Sequence, residues 1–189
     1  LKLPRPTELA HAFVTAAASP GDLVVDATLG KGTDTLLLAQ LVGPGGRVLA
    51  FDIQAAALDA AAPRLETAGL ADRVQLILAS HATLADHAPP DTAAVVMFNL
   101  GYLPGHSHEI TTSPVETLRG LDAAATVLKP GGLLTVVCYP GHPGGNEECE
   151  AVTYWMQHRA SAGWRVARYS PIATLRPSPF LLAATKPDR

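Results

Sequence analysis

Short runs of branched and aromatic residues alternate with stretches of helical spacing along most of the chain. Residues 23–27, Arg47–Asp52, 74–79, Ala93–Asn99 and 133–139 read as strands. Between them 34–41, 54–67 and 112–128 read as helices, the last closed by Lys-Pro-Gly-Gly. Such alternation implies parallel strands joined by right-handed crossovers, hence an open doubly wound α/β sheet. A further helix is predicted over 147–162, where Ala151, Val152, Trp155 and Met156 recur at helical spacing. Two last strands follow at Arg165–Tyr169 and 180–184. The segment between them, Ser-Pro-Ile-Ala-Thr-Leu-Arg-Pro-Ser-Pro, is too short and too broken for a crossover helix. The chain therefore ends in an antiparallel hairpin, unlike the six parallel strands of dinucleotide-binding domains.

Composition narrows the class. With 189 residues, 48% hydrophobic and 16% charged, the chain suits one folded domain, 1–189, with a full core. No apolar run approaches the roughly 18 residues that span a bilayer. The start, Leu-Lys-Leu-Pro-Arg-Pro-Thr-Glu-Leu-Ala-His, lacks the layout of a signal peptide. Cys138 and Cys149 form neither a disulfide framework nor a Cys-x-x-Cys pair. The expectation is a soluble, cytoplasmic domain with no membrane partner. Residues 1–150 hold 8 Lys and Arg against 16 Asp and Glu, whereas 151–189 hold 6 against Asp188 alone. The basic C-terminal fifth either approaches phosphates locally or is a solvated face of surplus arginines.

The first strand runs into Thr28-Leu29-Gly30-Lys31-Gly32-Thr33-Asp34, where a helix opens. Gly30 and Gly32 permit a tight turn and close approach of a ligand, and the helix N-terminus adds donors. Asp52 ends the second strand, where an acid can accept both hydroxyls of an adenosine ribose. A turn capped by Asp34, with Asp52 facing water, carries the same pattern. Thr35 stands where a third glycine would complete the dinucleotide fingerprint. Asp26, just before the turn, repels a pyrophosphate but suits the ammonium and sulfonium of S-adenosylmethionine; alternatively it pairs with amides of its own turn. These features and the hairpin favour a methyl donor over NAD. Ser80 or His81, after the third strand, can reach an adenine.

The fourth strand delivers Asn99-Leu100-Gly101-Tyr102 to the same sheet edge. An asparagine carbonyl accepts a hydrogen bond from an amine and aims its lone pair; a tyrosine ring stacks a base. An Asx turn with a packed tyrosine is the structural alternative. Tyr139-Pro140-Gly141-His142-Pro143-Gly144-Gly145, after the fifth strand, forms a substrate-facing wall or lid in which His142 accepts a proton or braces the loop. His106, His108 and His142 lack the carboxylate or cysteine partners of a metal site, and none is assigned.

Together Asp-Ala-Thr-Leu-Gly-Lys-Gly-Thr-Asp-Thr (26–35), Phe-Asp-Ile-Gln (51–54), Ser80-His81, Phe-Asn-Leu-Gly-Tyr-Leu-Pro-Gly (98–105), Lys-Pro-Gly-Gly-Leu-Leu (129–134) and Tyr-Pro-Gly-His-Pro-Gly-Gly-Asn-Glu-Glu (139–148) resemble one family. It is the rRNA-methylase-like family of class I S-adenosylmethionine-dependent methyltransferases. The resemblance implies a Rossmann-like, mostly parallel seven-stranded sheet with the C-terminal hairpin. It implies methylation of the 5-aminomethyl group of wobble (2-thio)uridine, with the tRNA anticodon loop as partner and a homodimer as assembly. Cofactor contacts then fall on Gly30, Lys31, Gly32, Thr33, Asp34, Asp52, Gln54, Ser80 and His81, with Asp26 added on grounds of charge. Asn99 and Tyr102 meet the amine; Tyr139 and His142 of the substrate-facing loop, and Arg176 as the local substitute in the altered hairpin segment, are the further substrate candidates. The sequence departs from the family at Lys31 and Thr33, where Asn and His are usual, and at 172–179, usually rich in Asn and Gln. The competing functions are methylation of rRNA or a small amine, an NAD-dependent oxidoreductase, and a non-catalytic binding module.

Overall fold

The computed structural model describes residues 2–101, 113–172, 175 and 177–188. The strands are β1 (Leu23–Asp26), β2 (Arg47–Asp52), β3 (Val74–Leu78), β4 (Ala93–Asn99), β5 (Leu128–Cys138), β6 (Arg165–Tyr169) and β7 (Phe180–Thr185). The helices are α1 (Pro6–Ala17), α2 (Thr33–Val42), α3 (Ala55–Thr67), α4 (Pro114–Val127) and α5 (Gly145–Ser161). The strands form one sheet in the order β3-β2-β1-β4-β5-β7-β6. Strands β1 to β5 pair in parallel, and β7 pairs antiparallel with both β5 and β6. The predicted sheet and hairpin are present.

Both faces of the sheet are covered, which is why β4 is buried from Ala93 to Phe98 with no polar position. Alternate residues divide between the layers. Phe51, Val96, Phe98, Leu134 and Val136 pack with Leu121 of α4 and with Trp155 and Met156 of α5. Val24, Val48, Val95 and Met97 pack on the other face with Val14 of α1, Leu38 of α2 and Leu65 of α3. Because the strand order turns outward on either side of β1 and β4, a crevice opens beyond their carboxyl ends. Among the described residues, the glycine turn, Asp52, Ser80-His81, Asn99 and the loop of Tyr139 and His142 lead to that edge.

Two elements differ from expectation. Helix α1 was not anticipated; Pro6 starts it, Glu8 caps the Arg5 backbone, and Ala10 and Val14 are buried. Strand β5 begins at Leu128, five residues before the predicted 133, and runs through Lys-Pro-Gly-Gly. Gly131 adopts φ +72° there, and the pairing register with β4 shifts between Ala93 and Val95. The turn-like segment is absorbed as an irregularity within the strand.

Candidate active site

A cavity of about 620 Å³ lies beyond the carboxyl ends of β1, β2, β3 and β4. Its first wall is the turn between β1 and α2. Gly30 and Gly32 have φ +50° and +74°, in the left-handed region that glycine enters without strain. Gly30 lines the cavity with Lys31, Thr33 and Asp34, but Gly32 does not. A Cβ on Gly32 would stand 2.9 Å from the Cβ of Ala61, so this glycine lets α3 approach the turn.

Asp52 closes the next wall. Its Oδ2 accepts from the Gly30 N–H and its Oδ1 from the Gln54 N–H, both at 3.0 Å. Two backbone donors hold the carboxylate at the lip, with acceptor capacity left over. Beside it Ile53 is 57% exposed and lines the cavity with Leu29, Phe51 and Leu100, an apolar surface that an aromatic base would cover. Asp26 lies beneath this surface rather than on it. It is fully buried, accepts from the Thr28 N–H at 3.1 Å and from the Thr35 hydroxyl at 2.6 Å, and is absent from the lining. Burial, reinforced by the nearby Asp34 charge, pushes its carboxyl up to about 7. The acid pairs within its own turn, and any effect on a ligand passes through its charge.

Asp34 is the hub of the floor. Its Oδ1 accepts from His11 Nε2 at 2.7 Å and its Oδ2 from Asn99 Nδ2 at 3.3 Å. The hydrogen bond to Asp34 holds the His11 imidazolium above the usual histidine range. Asn99 is fixed by its N–H on the Thr28 hydroxyl at 2.7 Å, and its Oδ1 is buried without a donor among the described residues. Tyr139 stands beside Asn99 and Asp34; burial above all raises its phenol.

Ser80 and His81 form the far wall. The Ser80 hydroxyl donates to Glu116 Oε2 at 2.7 Å and accepts from the Ala82 N–H at 3.1 Å. That bond and Arg119 lower the Glu116 carboxyl. The His81 ring is buried edge-on to Phe98, with centroids 5.4 Å apart, and desolvation above all depresses its pKa. His142 lines the mouth, its Nδ1–H donating to the Pro143 carbonyl at 3.0 Å, a contact that braces the loop. Tyr102 and Arg176, with His106 and His108, lie outside the described residues. Arg5, Thr7 and His11 of the N-terminal segment, Ile53 and Glu116 reach the cavity without having been read as site residues.

The donor set fits a cationic nucleoside. Asp26, Asp34 and Asp52 surround one turn, with His11 against Asp34 and with Lys31 and Arg5 exposed at the cavity, and the three carboxyl groups favour a sulfonium and an ammonium over a pyrophosphate. Fold and cavity are those of a class I S-adenosylmethionine-dependent methyltransferase domain. Residues 48–185 match the family described as "Putative rRNA methylase", and the chain belongs to that family. The resemblance read from the motifs is thereby confirmed.

Over 155 residues the chain is 42% identical to the tRNA (mnm(5)s(2)U34)-methyltransferase, chloroplastic, of Arabidopsis thaliana, with 77% of this chain and 57% of that protein aligned. The chain thus spans little more than half the length of that relative. It is 37% identical to the "putative rRNA-methylase" of Clostridium thermocellum, with a TM-score of 0.93 over 98% of this chain and all of that one. A Streptococcus mutans "putative methyltransferase", solved with S-adenosylhomocysteine, is 32% identical, with a TM-score of 0.88 over 98% and 99% of the two chains. Among the described residues, no helix is long and apolar enough to cross a membrane.

Proposed function

We propose that the chain methylates the 5-aminomethyl group of wobble (2-thio)uridine in tRNA, giving 5-methylaminomethyl-(2-thio)uridine. The observation that carries this reading is the Asn99 carbonyl oxygen, buried at the cavity floor and lacking a donor among the described residues. A neutral primary amine has two N–H groups and one lone pair. When one N–H donates to Asn99 Oδ1, the lone pair is left free and oriented. Bound S-adenosylmethionine supplies an electrophilic methyl group on a good leaving group. Asp52 accepts its ribose hydroxyls, Ile53 covers its adenine, and Gly30, Lys31 and Thr33 offer the backbone of the turn. An alkyl amine with a pKa of about 10.4 must lose its proton before it attacks. Apolar walls at Leu100 and Phe51 favour the neutral form.

A charged rim supports a nucleic acid over a small amine. Lys31, exposed, and Arg5, exposed but paired with Glu8 at 2.8 Å, stand at the cavity, where phosphates of an anticodon loop would meet them. Tyr102 is assigned to the acceptor by its motif, and Arg176 as the local substitute in the segment that departs from the family. The basic C-terminal fifth adds less than its charge suggests. Arg159 is bound to Asp122, Arg168 lies 3.9 Å over the Phe180 ring, and Lys186 pairs with Asp91. The name of the Arabidopsis relative points to the same acceptor. The test is transfer of label from S-adenosylmethionine to bulk tRNA from a strain lacking this gene, followed by nucleoside mass analysis. Label in 5-methylaminomethyl-2-thiouridine is expected; label confined to rRNA or to small amines would overturn the assignment.

A further inference from the structure

Helix α1 brings His11 to a site otherwise built from the loops of the sheet, and the proposed reaction has so far given it no role. Asp34 has two oxygens directed to two partners, His11 at 2.7 Å and Asn99 at 3.3 Å. An asparagine amide can turn over, exchanging a donor for an acceptor at almost no steric cost. Here it cannot do so freely. Turned over, Asn99 would set its carbonyl oxygen against the Asp34 carboxylate, acceptor against acceptor. The amide selects the orientation with Nδ2 on Asp34, which leaves Oδ1 as the unbonded atom of a residue that lines the cavity, provided that Asp34 itself holds still. His11 supplies that condition, since its N–H fixes one carboxylate oxygen.

The geometry points to His11 as a positioning residue for methyl transfer, acting through Asp34 to hold the Asn99 carbonyl toward the acceptor amine. This rests on the proposed amine acceptor only for its effect on turnover; the orientation of Asn99 is a property of the protein alone. Three observations converge on it. The dyad lies at the cavity rather than on an outer surface, with His11, Asp34 and Asn99 all in its lining. Asn99 Oδ1 is buried without a donor among the described residues. The third observation concerns α1, which packs against β5 and β7. Its preceding segment is tied down by the Tyr169 hydroxyl, which donates to the Pro4 carbonyl at 2.8 Å. The support for Asn99 thus comes from a helix whose main packing is on β5 and β7, with lighter contact to α2 and β4. The charged groups that face His11 are Asp34 from α2, Asp26 from β1 and Glu8 from its own helix, all acidic. Tyr139 adds a neutral phenol beside Asp34.

Two measurements test it. The first compares wild type, His11→Ala and His11→Gln for methyl transfer to the tRNA described above, with S-adenosylhomocysteine affinity measured by calorimetry. Gln keeps a donor at the position of Nε2. His11→Ala is expected to lower kcat about 10- to 100-fold with little change in cofactor affinity, and His11→Gln to recover most of the loss. Full turnover in His11→Ala, or parallel losses in both variants, would overturn the assignment. The second measurement needs no acceptor. The side-chain amide resonance of Asn99, identified by its loss in Asn99→Ala, should shift with pH as His11 titrates, and should lose that step in His11→Gln. An Asn99 signal indifferent to His11 would also overturn it. If wild type labels no tRNA while the amide follows His11, the acceptor is wrong and the positioning role stands.

Discussion

Gly120 lies in the middle of α4, where an alanine would ordinarily strengthen the helix by up to about 1 kcal/mol. The expected result of Gly120→Ala is the opposite. A Cβ at 120 would stand 2.4 Å from His81 Cδ2, and 3.3 Å from both Cγ and Nε2 of that ring. Comfortable contact between carbons needs about 3.5–4.0 Å, so the imidazole must retreat by about 1 Å. It has little room to do so, because the ring is buried and Phe98 stands edge-on to it at 5.4 Å. The free direction is into the cavity, whose wall His81 forms. Overpacking of this kind costs about 1–3 kcal/mol, which outweighs the helix gain. A net loss of about 1–2 kcal/mol is expected, about 2–8 °C in Tm for a chain of this length. Affinity for S-adenosylhomocysteine should fall with it. Urea unfolding and calorimetry on Gly120→Ala, His81→Ala and the double variant decide the matter. Removing the ring removes the clash, so the two substitutions should couple by about 1–2 kcal/mol. A Gly120→Ala protein at least as stable as wild type, or strictly additive effects, would refute the argument.

Asp52→Ala should weaken cofactor binding by about 1.5–3 kcal/mol, the worth of hydrogen bonds to a charged group, and unchanged affinity in a titration would remove the ribose role. Burial pushes the Asp26 carboxyl up to about 7 in the folded chain, from an ordinary value of 3.8. The folded state therefore binds more protons than the unfolded between those values, and its contribution to stability falls as pH rises through that window. Asp26→Asn should flatten this slope in unfolding curves from pH 4 to 8. Wild-type affinity for S-adenosylmethionine should rise through neutrality as the carboxyl ionises, and a flat profile would count against that linkage. Arg5→Gln with Lys31→Gln should weaken tRNA binding and shallow its dependence on salt; an unchanged slope would leave the rim without a phosphate role.

The central strands were legible because they are apolar runs buried on both sheet faces, with few other conformations open to them, whereas the largely exposed edge strands β3 and β6 were legible only from their β-rich composition. What escaped was tertiary. Helix α1 has its apolar residues at helical spacing, Leu9, Ala10, Phe13 and Val14, after Pro6 and with Glu8 in the first turn. These are ordinary start signals. No local pattern, however, says that the helix docks on β5 and β7 and so carries Arg5, Thr7 and His11 to the cavity. Lys-Pro-Gly-Gly reads as a turn, yet the pairing of β5 with β4 and β7 carries the strand through it. Spacing also fails to separate residues on a cavity wall from those behind it. Asp26 and Gly32 belong to the same turn as Gly30 and Asp34, but one is sealed by Thr28 and Thr35 and the other packs on Ala61.

The acidity of the floor explains why residue 99 is an amide. Methyl transfer moves one positive charge from sulfur to nitrogen and creates none, so Asp26, Asp34 and Asp52 face a cation before and after the reaction. A carboxylate at 99 would add charge at the one place where the attacking nitrogen must be neutral. Opposite charges within about 4–6 Å raise the pKa of an ammonium by 1–3 units. Asn99→Asp would hold the acceptor protonated and, with Asp34 Oδ2 only 3.3 Å from the present Nδ2, would repel its own support. The amide accepts an N–H without this penalty. The expected outcome is a pH–rate profile whose rising limb moves about 1–3 units toward alkaline pH, with S-adenosylhomocysteine still bound. A carboxylate acting instead as a general base would leave the limb in place or move it toward acid. That result would show residue 99 removing a proton rather than aiming a lone pair.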